Sequence, residues 1–314
     1  MTTVLCVILN WRTAPMTLDA VAAAERAMQG LDGAITVVDN DSQDGSFELL
    51  SRELADRPRV RVLQSGHNGG FGAGNNVGIR AGLPDGGRPD FVYLLNSDAF
   101  PAPDAVASLV RHLQANPGTG FAGSLIHGKD GDTHTTAFRF PGIASEFEGA
   151  ARTGPLSRLL RRHIIALPQP AATGPVGWLA GASVMMRQSM LDEIGLFDET
   201  FFLYFEETDL MLRGARAGWA TDYVIDSRVM HIGSVSTGMK TWQRIPGYWF
   251  DSRWHYFAKN HGRLYAAAAT ASHLLGLGLH RLRMLLQRRD TGNAPHYFRD
   301  LVRHSLGAHP GPEK

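Results

Sequence analysis

The stretch Val92–Asp98, VYLLNSD, decides the fold of this 314-residue chain. Its apolar first part predicts a buried strand, and the strand ends abruptly in a polar triplet whose last member is a carboxylate. In α/β sheets, ligands bind just beyond the carboxyl ends of the strands. A carboxylate at that place can hold a divalent cation against the phosphates of a nucleotide, although an Asp that ends a strand is more often a turn or cap residue.

Short β-rich runs alternate with helical segments around this stretch. The predicted strands are 4–9, 35–39, 60–63, 91–95 and 121–126, and the predicted helices are 17–28, 47–55, 75–81 and 105–115. Such alternation predicts an α/β fold, with a mainly parallel central sheet covered by helices on both faces.

The regular pattern fails between residues 127 and 175, which we interpret as an inserted loop region that either orders over substrate or is simply solvated. Order returns at 176, with a helix predicted at 207–217 and an extended run at 222–231. We therefore expect one domain over residues 1–262, built from halves 1–126 and 176–262. A basic, helical tail at 263–314 follows as a C-terminal extension.

Composition indicates a soluble globular enzyme, with 44% hydrophobic residues and a net charge of +1. From residue 255 to 314, nine Lys/Arg stand against three Asp/Glu, a balance of +6, so the preceding residues carry −5. The single cysteine, Cys6, fits a reducing compartment. We find no signal peptide and no convincing transmembrane stretch, and so expect a cytoplasmic catalytic body.

The tail has an amphipathic pattern. Leu275, Leu279, Leu282 and Leu286 fall on one face of the predicted helix, and most of its basic residues lie elsewhere. Three alternatives remain open: a helix packed on its own domain, a helix at an anionic membrane surface, and a homodimer contact. The basic balance makes the inner face of the cell membrane a candidate partner.

Two further polar clusters follow predicted strands. Asp39 ends the strand at 35–39, and a carboxylate there could accept hydrogen bonds from a nucleobase or ribose. A glycine-rich run at 67–76 opens a helix, as a phosphate-approaching loop would. This run lacks the third glycine of a dinucleotide motif, since Val77 stands in its place, which counts against an oxidoreductase.

A third cluster, FFLYFEETDL at 201–210, contains the carboxylates Glu206, Glu207 and Asp209 directly after an apolar run. Acids at a helix start are common because they favour the helix dipole. Carboxylates this close together beside apolar surface should also perturb one another's pKa, which suits a general base. His231 ends an extended run; a lone His is usually structural, but with Asp98 it could complete a metal site.

Taken in order, these motifs resemble the family 2 inverting glycosyltransferases, in particular their rhamnosyltransferase-like branch, over about residues 3–262. The motifs are DNxS from Asp39, NGGFGxGNN from Asn68, LNxD from Leu95, GAS from Gly181, FDE from Phe197 and FxYFEExDL from Phe202, with His231 after them. The resemblance implies a GT-A fold, a nucleoside-diphosphate-sugar donor and a Mg²⁺ or Mn²⁺ ion.

The resemblance also implies roles for individual residues. Asp98 and His231 would hold the metal ion. Glu207 falls where the family keeps its catalytic base, most often an Asp, and Asp209 would orient the acceptor. The expected donor-binding residues are Asn10, Asp39, Asn40, Asn68, Asn75, Asn96 and Asp98. The expected acceptor-binding residues are Gly181, Ala182, Glu206 and Trp178, the last as a sugar platform.

The expected reaction is metal-dependent, inverting transfer of a sugar to a hydroxyl of a glycan or polyprenyl-linked saccharide in cell-surface polysaccharide synthesis. Rhamnose as the sugar is suggested by family likeness alone, and no nucleic-acid partner is expected. A nucleotidyltransferase is one alternative, but no glycine-rich loop follows the first predicted strand. A non-catalytic glycan-binding relative is another, and the intact Glu207 and Asp98 argue against it.

Overall fold

The computed structural model of the protein describes residues 2–233 and 243–307; parts of the predicted half 176–262 and of the predicted tail lie outside these residues. The elements, in chain order, are β1 Thr3–Asn10, α1 Ala14–Ala27, β2 Asp32–Asp39, α2 Ser46–Glu53, β3 Val60–Gln64, α3 Gly70–Arg80, β4 Phe91–Asn96, β5 Ala99–Pro101, α4 Ala105–Ala115, β6 Thr119–His127, β7 Ala137–Phe138, α5 Ile143–Ala151, α6 Gly154–Leu159, a 3₁₀ turn Arg161–His163, β8 Gly174–Pro175, β9 Trp178–Leu179, β10 Ser183–Arg187, α7 Gln188–Ile194, α8 Glu206–Arg216, β11 Ala220–His231, α9 Gly247–His261, α10 Arg263–Leu286 and α11 Tyr297–Ser305.

The central sheet has the strand order β3-β2-β1-β4-β10-β6-β11-β5, and β8 pairs with β11. Its first four strands are parallel, as are β6 and β11, whereas β10 runs antiparallel between β4 and β6. The predicted α/β fold class is confirmed. The parallel strands β1, β2 and β4 all end at the same edge, where the predicted polar clusters lie.

The sheet is buried on both faces, which explains why its strands read as near-continuous apolar runs. Along β1, Val4, Cys6 and Ile8 belong to a core that also contains residues of α1 and α4. Leu5 and Val7 point to the other face and belong to a second core that includes Ile79 of α3. The period of two along a strand thus divides its side chains between two helical layers.

The region 127–175 differs from the expected loop region, because it contains the helices α5 and α6. Helix α5 is only nine residues long and follows Pro141-Gly142, so its apolar periodicity is too short to stand out in the sequence. Its residues Ala150 and Ala151 are buried. The partner of α5 is α10: a Cβ at Gly276 would lie 2.7 Å from the carbonyl oxygen of Phe147.

A buried ion pair joins α5 to the C-terminal helices. Arg253 of α9, only 2% exposed, donates from Nε and Nη2 to Glu146 Oε2 at 3.0 and 2.6 Å. His273 of α10 lies 2.7 Å from the same oxygen through Nδ1, and its Nε2 lies 2.7 Å from the hydroxyl of Tyr297 in α11. Burial raises the pKa of Glu146, but Arg253 and His273 outweigh burial and hold it below its ordinary value.

The predicted leucine face of the tail helix is exposed. Leu275, Leu279, Leu282 and Leu286 all lie on the solvent side of α10, whereas the helix packs on α5 and α9 through its opposite side. Helix α10 instead buries small residues such as Ala266 and Ala269 on the opposite side. Within residues 2–233 and 243–307, no helix is both long and apolar enough to cross a membrane.

Replacing Glu146 with alanine should lower the free energy of unfolding by about 3 kcal/mol or more, because Arg253 would keep its charge in a buried position without a carboxylate. Urea unfolding measures this loss. Glu53→Ala is the control, since it removes the partner of exposed Arg52 and should cost less than about 1 kcal/mol. Equal losses in the two variants would contradict the importance of the buried pair.

Candidate active site

Asn10 and Asp39 join the ends of β1 and β2. Asn10 Nδ2 donates to Asp39 Oδ1 at 2.7 Å, and the Ser42 hydroxyl donates to the same oxygen at 2.6 Å. Asp39 Oδ2 accepts the backbone N–H of Ser42 at 3.1 Å. Both side chains are buried. A carboxylate oxygen can accept more than one hydrogen bond, so Oδ2 keeps capacity for a further donor such as a nucleobase N–H.

Asn40 and Asn68 brace the glycine-rich segment. Asn40 Nδ2 donates to Asn68 Oδ1 at 2.9 Å and to the Gly70 carbonyl at 3.2 Å. The amide of Asn75, one turn into α3, donates to the carbonyl of Phe71 at 2.9 Å. In the part of the chain that the structure describes, Asn40 Oδ1 is buried and has no hydrogen-bond partner. An orphaned buried oxygen at the carboxyl edge of the sheet is a candidate contact for a ligand.

Gly70 fastens the glycine-rich segment to the aromatic segment before α8. Its φ of +90° favours glycine, and a Cβ there would lie 1.7 Å from the carbonyl oxygen of Phe202. That carbonyl accepts the backbone N–H of Phe71 at 3.0 Å. Tyr204 and Phe205 then adopt left-handed φ values of 70° and 69°, a strained pair that fixes the start of α8.

Asp98 and His231, 133 residues apart in sequence, form a close pair. His231 Nε2 lies 3.0 Å from Asp98 Oδ1, and the Gly233 backbone N–H donates to Asp98 Oδ2 at 3.0 Å. Asn96 Nδ2 lies 3.4 Å from the same imidazole nitrogen. The pair forms because β5 turns back after β4 and pairs with β11, which puts Ala99 opposite His231.

The donor atoms of Asp98 and His231 fit a divalent cation. A carboxylate and an imidazole are both established ligands for ions such as Mn²⁺. Across residues 2–233 and 243–307, no group of three or more His, Cys, Asp or Glu side chains could hold a metal ion. Two protein ligands therefore fit an ion that takes further ligands from elsewhere, such as the oxygens of a diphosphate.

Glu206 and Glu207 begin α8 in a poorly solvated position. Glu206 is buried and Glu207 is half-buried, and the Oε2 atoms of both lack a hydrogen-bond partner among the described residues. Burial raises the pKa of Glu206 well above its ordinary value, and the charge of Glu207 raises it further. Burial also raises the pKa of Glu207, although hydrogen bonds from its own backbone N–H and that of Gly181 oppose this rise.

Gly181 and Ala182 connect the Glu207 side to the Asp98 side. The backbone N–H of Asn96 donates to the Ala182 carbonyl at 3.0 Å. A Cβ on Gly181 would lie 3.8 Å from Glu207 Oε1 and 3.1 Å from the Phe71 ring. Asn96 therefore contacts the Asp98–His231 pair through its side chain and the Gly181–Ala182 turn, which borders Glu207, through its backbone. The structure thus links these distant parts of the sequence through Asn96 and the Gly181–Ala182 turn.

Residues 5–195 match the family described as Glycosyl transferase family 2. The chain belongs to this family. It is 31% identical over 218 residues to the N-acetylglucosaminyl-diphospho-decaprenol L-rhamnosyltransferase of Mycobacterium tuberculosis, which covers 65% of this chain and 68% of the relative. It is 25% identical over 194 residues to the rhamnosyltransferase WbbL of Escherichia coli, which covers 60% of this chain and 70% of that relative.

Solved structures of glycosyltransferases share the fold. The mannosyltransferase PcManGT from Pyrobaculum calidifontis, solved with GDP-Man and Mn²⁺, superposes with a TM-score of 0.59 at 15% identity, covering 98% of this chain and 81% of that one. TarS 1-349 of S. aureus, solved with UDP-GlcNAc, gives 0.59 at 12% identity, covering 99% and 82%. The protein is a family 2 glycosyltransferase with the predicted GT-A fold.

Trp178 of the glycosyltransferase has one ring face covered. Its ring stacks on Phe138 with 4.3 Å between centroids, and its Nε1–H donates to the Arg139 carbonyl at 3.0 Å. The expected role as a sugar platform therefore has at most the other face available. Trp178 packs there because β7 and β9 form a small separate sheet.

Asp209 occupies a structural position rather than the expected acceptor-facing one. Its Oδ2 accepts from Arg213 Nε at 3.0 Å and from Lys259 Nζ at 2.7 Å, and its Oδ1 accepts from Asn260 Nδ2 at 2.7 Å. The side chain is fully buried. Because both oxygens are occupied by partners in α8 and α9, the role in orienting an acceptor does not fit this arrangement.

The residues that hold the FDE motif in place were not among the predicted site residues. Asn76 exchanges hydrogen bonds with the backbone of Phe197, donating at 2.9 Å and accepting at 3.1 Å. Asp198 Oδ2 lies 2.9 Å from His255 Nε2 and 2.8 Å from Lys259 Nζ. Burial raises the pKa of Asp198, but these two partners outweigh it and hold the pKa well below the ordinary value. The last Asn of NGGFGxGNN, Asn76, was the available signal in the sequence.

Replacing Asp209 with asparagine should lower the free energy of unfolding by about 3 kcal/mol, because Lys259 and Arg213 would face a neutral group in a buried site. Thermal or urea unfolding measures this loss. Asp192→Asn is the control, since its pair with Arg88 is exposed and should contribute less than about 1 kcal/mol. Unchanged stability together with a raised KM for the acceptor would restore the acceptor role of Asp209.

Proposed function

We propose that this glycosyltransferase moves a sugar from a nucleoside diphosphate to a hydroxyl of a lipid-linked saccharide in one inverting displacement. The observation that carries the proposal is that Asn96 contacts the Asp98–His231 pair through its side chain and the Ala182 carbonyl through its backbone, next to Gly181, which borders Glu207. A cation-binding pair and a poorly solvated carboxylate that border the same short segment suit this reaction.

The donor nucleotide would lie along the carboxyl edge of β1, β2 and β4. Asp39 has acceptor capacity left for the base, and the orphaned Asn40 Oδ1 offers a second contact, with Asn10 and Asn68 holding these two groups in place. Asn75, bonded to the Phe71 carbonyl, would line the same edge from α3. The start of α3 offers backbone N–H groups to phosphate oxygens, as helix N-termini do. Asn96 lies beside the cation pair, where it would contact the diphosphate.

Asp98 and His231 would hold the Mg²⁺ or Mn²⁺ ion, which supplies Lewis-acid stabilisation of the negative charge on the departing diphosphate. The imidazole favours Mn²⁺ over Mg²⁺, because the smaller ion is bound mainly by oxygen ligands. The Gly233 backbone N–H holds the Asp98 carboxylate in one orientation, so this part of the site is preorganised, and His231 Nε2 would exchange its contact with Oδ1 for the ion.

Glu207 would act as the general base. The acceptor oxygen forms a bond to the anomeric carbon while the bond from that carbon to the diphosphate oxygen breaks, and the hydroxyl proton passes to Glu207 Oε2. Because burial raises the pKa of Glu207, the carboxylate is a stronger proton acceptor than a solvated glutamate. Glu206 has the more strongly raised pKa and would remain neutral, which leaves a single charge at the helix start.

The acceptor would enter past Gly181, Ala182 and the exposed face of Trp178, with Glu206 behind them. The mycobacterial relative is named for transfer of L-rhamnose to N-acetylglucosaminyl-diphospho-decaprenol. We propose the same classes of substrate for this chain: a nucleoside-diphosphate deoxyhexose as donor and a polyprenyl-diphosphate saccharide as acceptor. This chemistry belongs to cell-surface polysaccharide synthesis at the inner side of the membrane.

Glu207→Gln should lower kcat by about 10²- to 10⁴-fold with nearly unchanged donor binding, because the amide cannot accept the proton. Glu206→Gln is the matched control. The glutamine mimics the neutral form proposed for Glu206, so this variant should keep most of the activity. In the wild-type enzyme, activity should fall as pH drops through the raised pKa of Glu207, at a pH above the ordinary range of a glutamate. If Glu206→Gln were the inactive variant, the base would be Glu206.

Rhamnosyl transfer from dTDP-rhamnose to polyprenyl-diphosphate N-acetylglucosamine should require Mn²⁺ or Mg²⁺ and stop with EDTA. Asp98→Asn should also weaken the Mn²⁺-dependent affinity for the nucleotide sugar by about tenfold or more, measured by thermal shift. His134→Asn is the control, since its ring centroid lies 6.4 Å from that of His231 outside the proposed pair. Unaltered metal titration in Asp98→Asn would reject the cation site.

A further inference from the structure

One face of α10 is apolar and exposed along nearly the whole helix. Leu264 is 89% exposed, Leu275 68%, Leu282 55% and Leu286 76%. These positions recur at the helical period, so they form one continuous surface. Over 24 residues, α10 is about 36 Å long. The smaller exposed residues on the same face are Ala267, Ala268 and Ala271.

The opposite side of α10 holds this face outward. Gly276 packs closely on the backbone of α5, and Leu277 is buried beside it. His273 contacts Glu146 at 2.7 Å, and Thr270 Oγ1 accepts from Arg253 Nη1 at 3.0 Å. Rotation of α10 to bury its leucines would break this buried polar network. The apolar face is thus a fixed feature of the folded protein.

The charges around this face are positive. The 24-residue sequence of α10 contains no Asp or Glu. Arg263 at its start and Arg281 near its end are exposed, and the exposed Arg288 and Arg289 follow after Gln287, with Asp290 as the one acidic residue next to them. A second basic group is the 3₁₀ turn Arg161–His163. This turn contacts α5, the helix against which α10 also packs.

We propose that this α10 face docks onto a membrane surface rich in anionic lipid, with its leucines among the acyl chains near the headgroups and its arginines against the lipid phosphates. An apolar helix face flanked by arginines is the chemistry of interfacial helices. Pairing with a second copy fits less well, because α10 has no carboxylate to meet the arginines of the other copy. This inference rests on the proposed function, because docking would give the enzyme access to a lipid-linked acceptor.

Vesicle co-sedimentation of the full chain tests the docking face without requiring activity. Wild-type protein should pellet with phosphatidylcholine vesicles that contain about one third phosphatidylglycerol, and less with phosphatidylcholine alone. Leu275→Glu combined with Leu282→Glu should lower the partition coefficient at least about tenfold. Ala55→Glu combined with Ala115→Glu is the charge-matched control at exposed positions elsewhere, and should bind nearly as wild type does.

Recovery of wild-type protein in the supernatant with both vesicle types would overturn the proposal, as would equal binding of the α10 variant. If wild-type protein does not bind vesicles but sediments as a dimer, and the α10 variant sediments as a monomer, the face would be assigned to a second copy instead. If the glutamate variant has a lowered melting temperature, Leu275→Ser combined with Leu282→Ser takes its place. The thermal response to nucleotide sugar, recorded in parallel, separates failure of docking from failure of the proposed function.

Discussion

The antiparallel pairing of β10 with β4 is the constraint on which the rest of the site depends. It sets Ser183 opposite Leu95, and the Asn96 backbone N–H then donates to the Ala182 carbonyl at 3.0 Å. Through this register, Gly181 lies beside the strand end that leads to Asp98. A slip of one residue would turn every side chain of β10 to the other face of the sheet. It would also move Gly181 away from Glu207. The two halves of the sequence thus meet through backbone hydrogen bonds before any ligand is present.

The two adjacent glutamates at the start of α8 have different surroundings, and this difference suits the different roles proposed for them. Glu206 is buried within the fold, so ionisation of both groups would bring two poorly solvated charges together. The Gly181 backbone N–H contacts Glu207 and favours its ionised form. The same separation of pKa values between neighbouring carboxyls marks acid and base roles in other enzymes.

Much of the fold followed from the sequence, because strands buried on both faces and helices with a clear period show themselves locally. Placement of β10 did not, since antiparallel insertion between β4 and β6 depends on pairing between distant residues. The pairing of Asp98 with His231 agrees with what the family resemblance implied. The partners of Asp209 could not be predicted, because Lys259 and Asn260 come from α9, about fifty residues away. No local pattern reveals such partners.

The C-terminal helices connect the catalytic end of α8 to the exposed face of α10. Asp209, two residues after Glu207, is bonded to Lys259 and Asn260 of α9. Arg253, earlier in α9, donates to Thr270 of α10 and to Glu146. Each of these contacts between helices involves buried, charge-assisted hydrogen bonds, which are strong and directional. The orientation of α10 is therefore fixed relative to the proposed base. If α10 docks on a membrane, the same contacts set the height and tilt of the active site above the lipid surface.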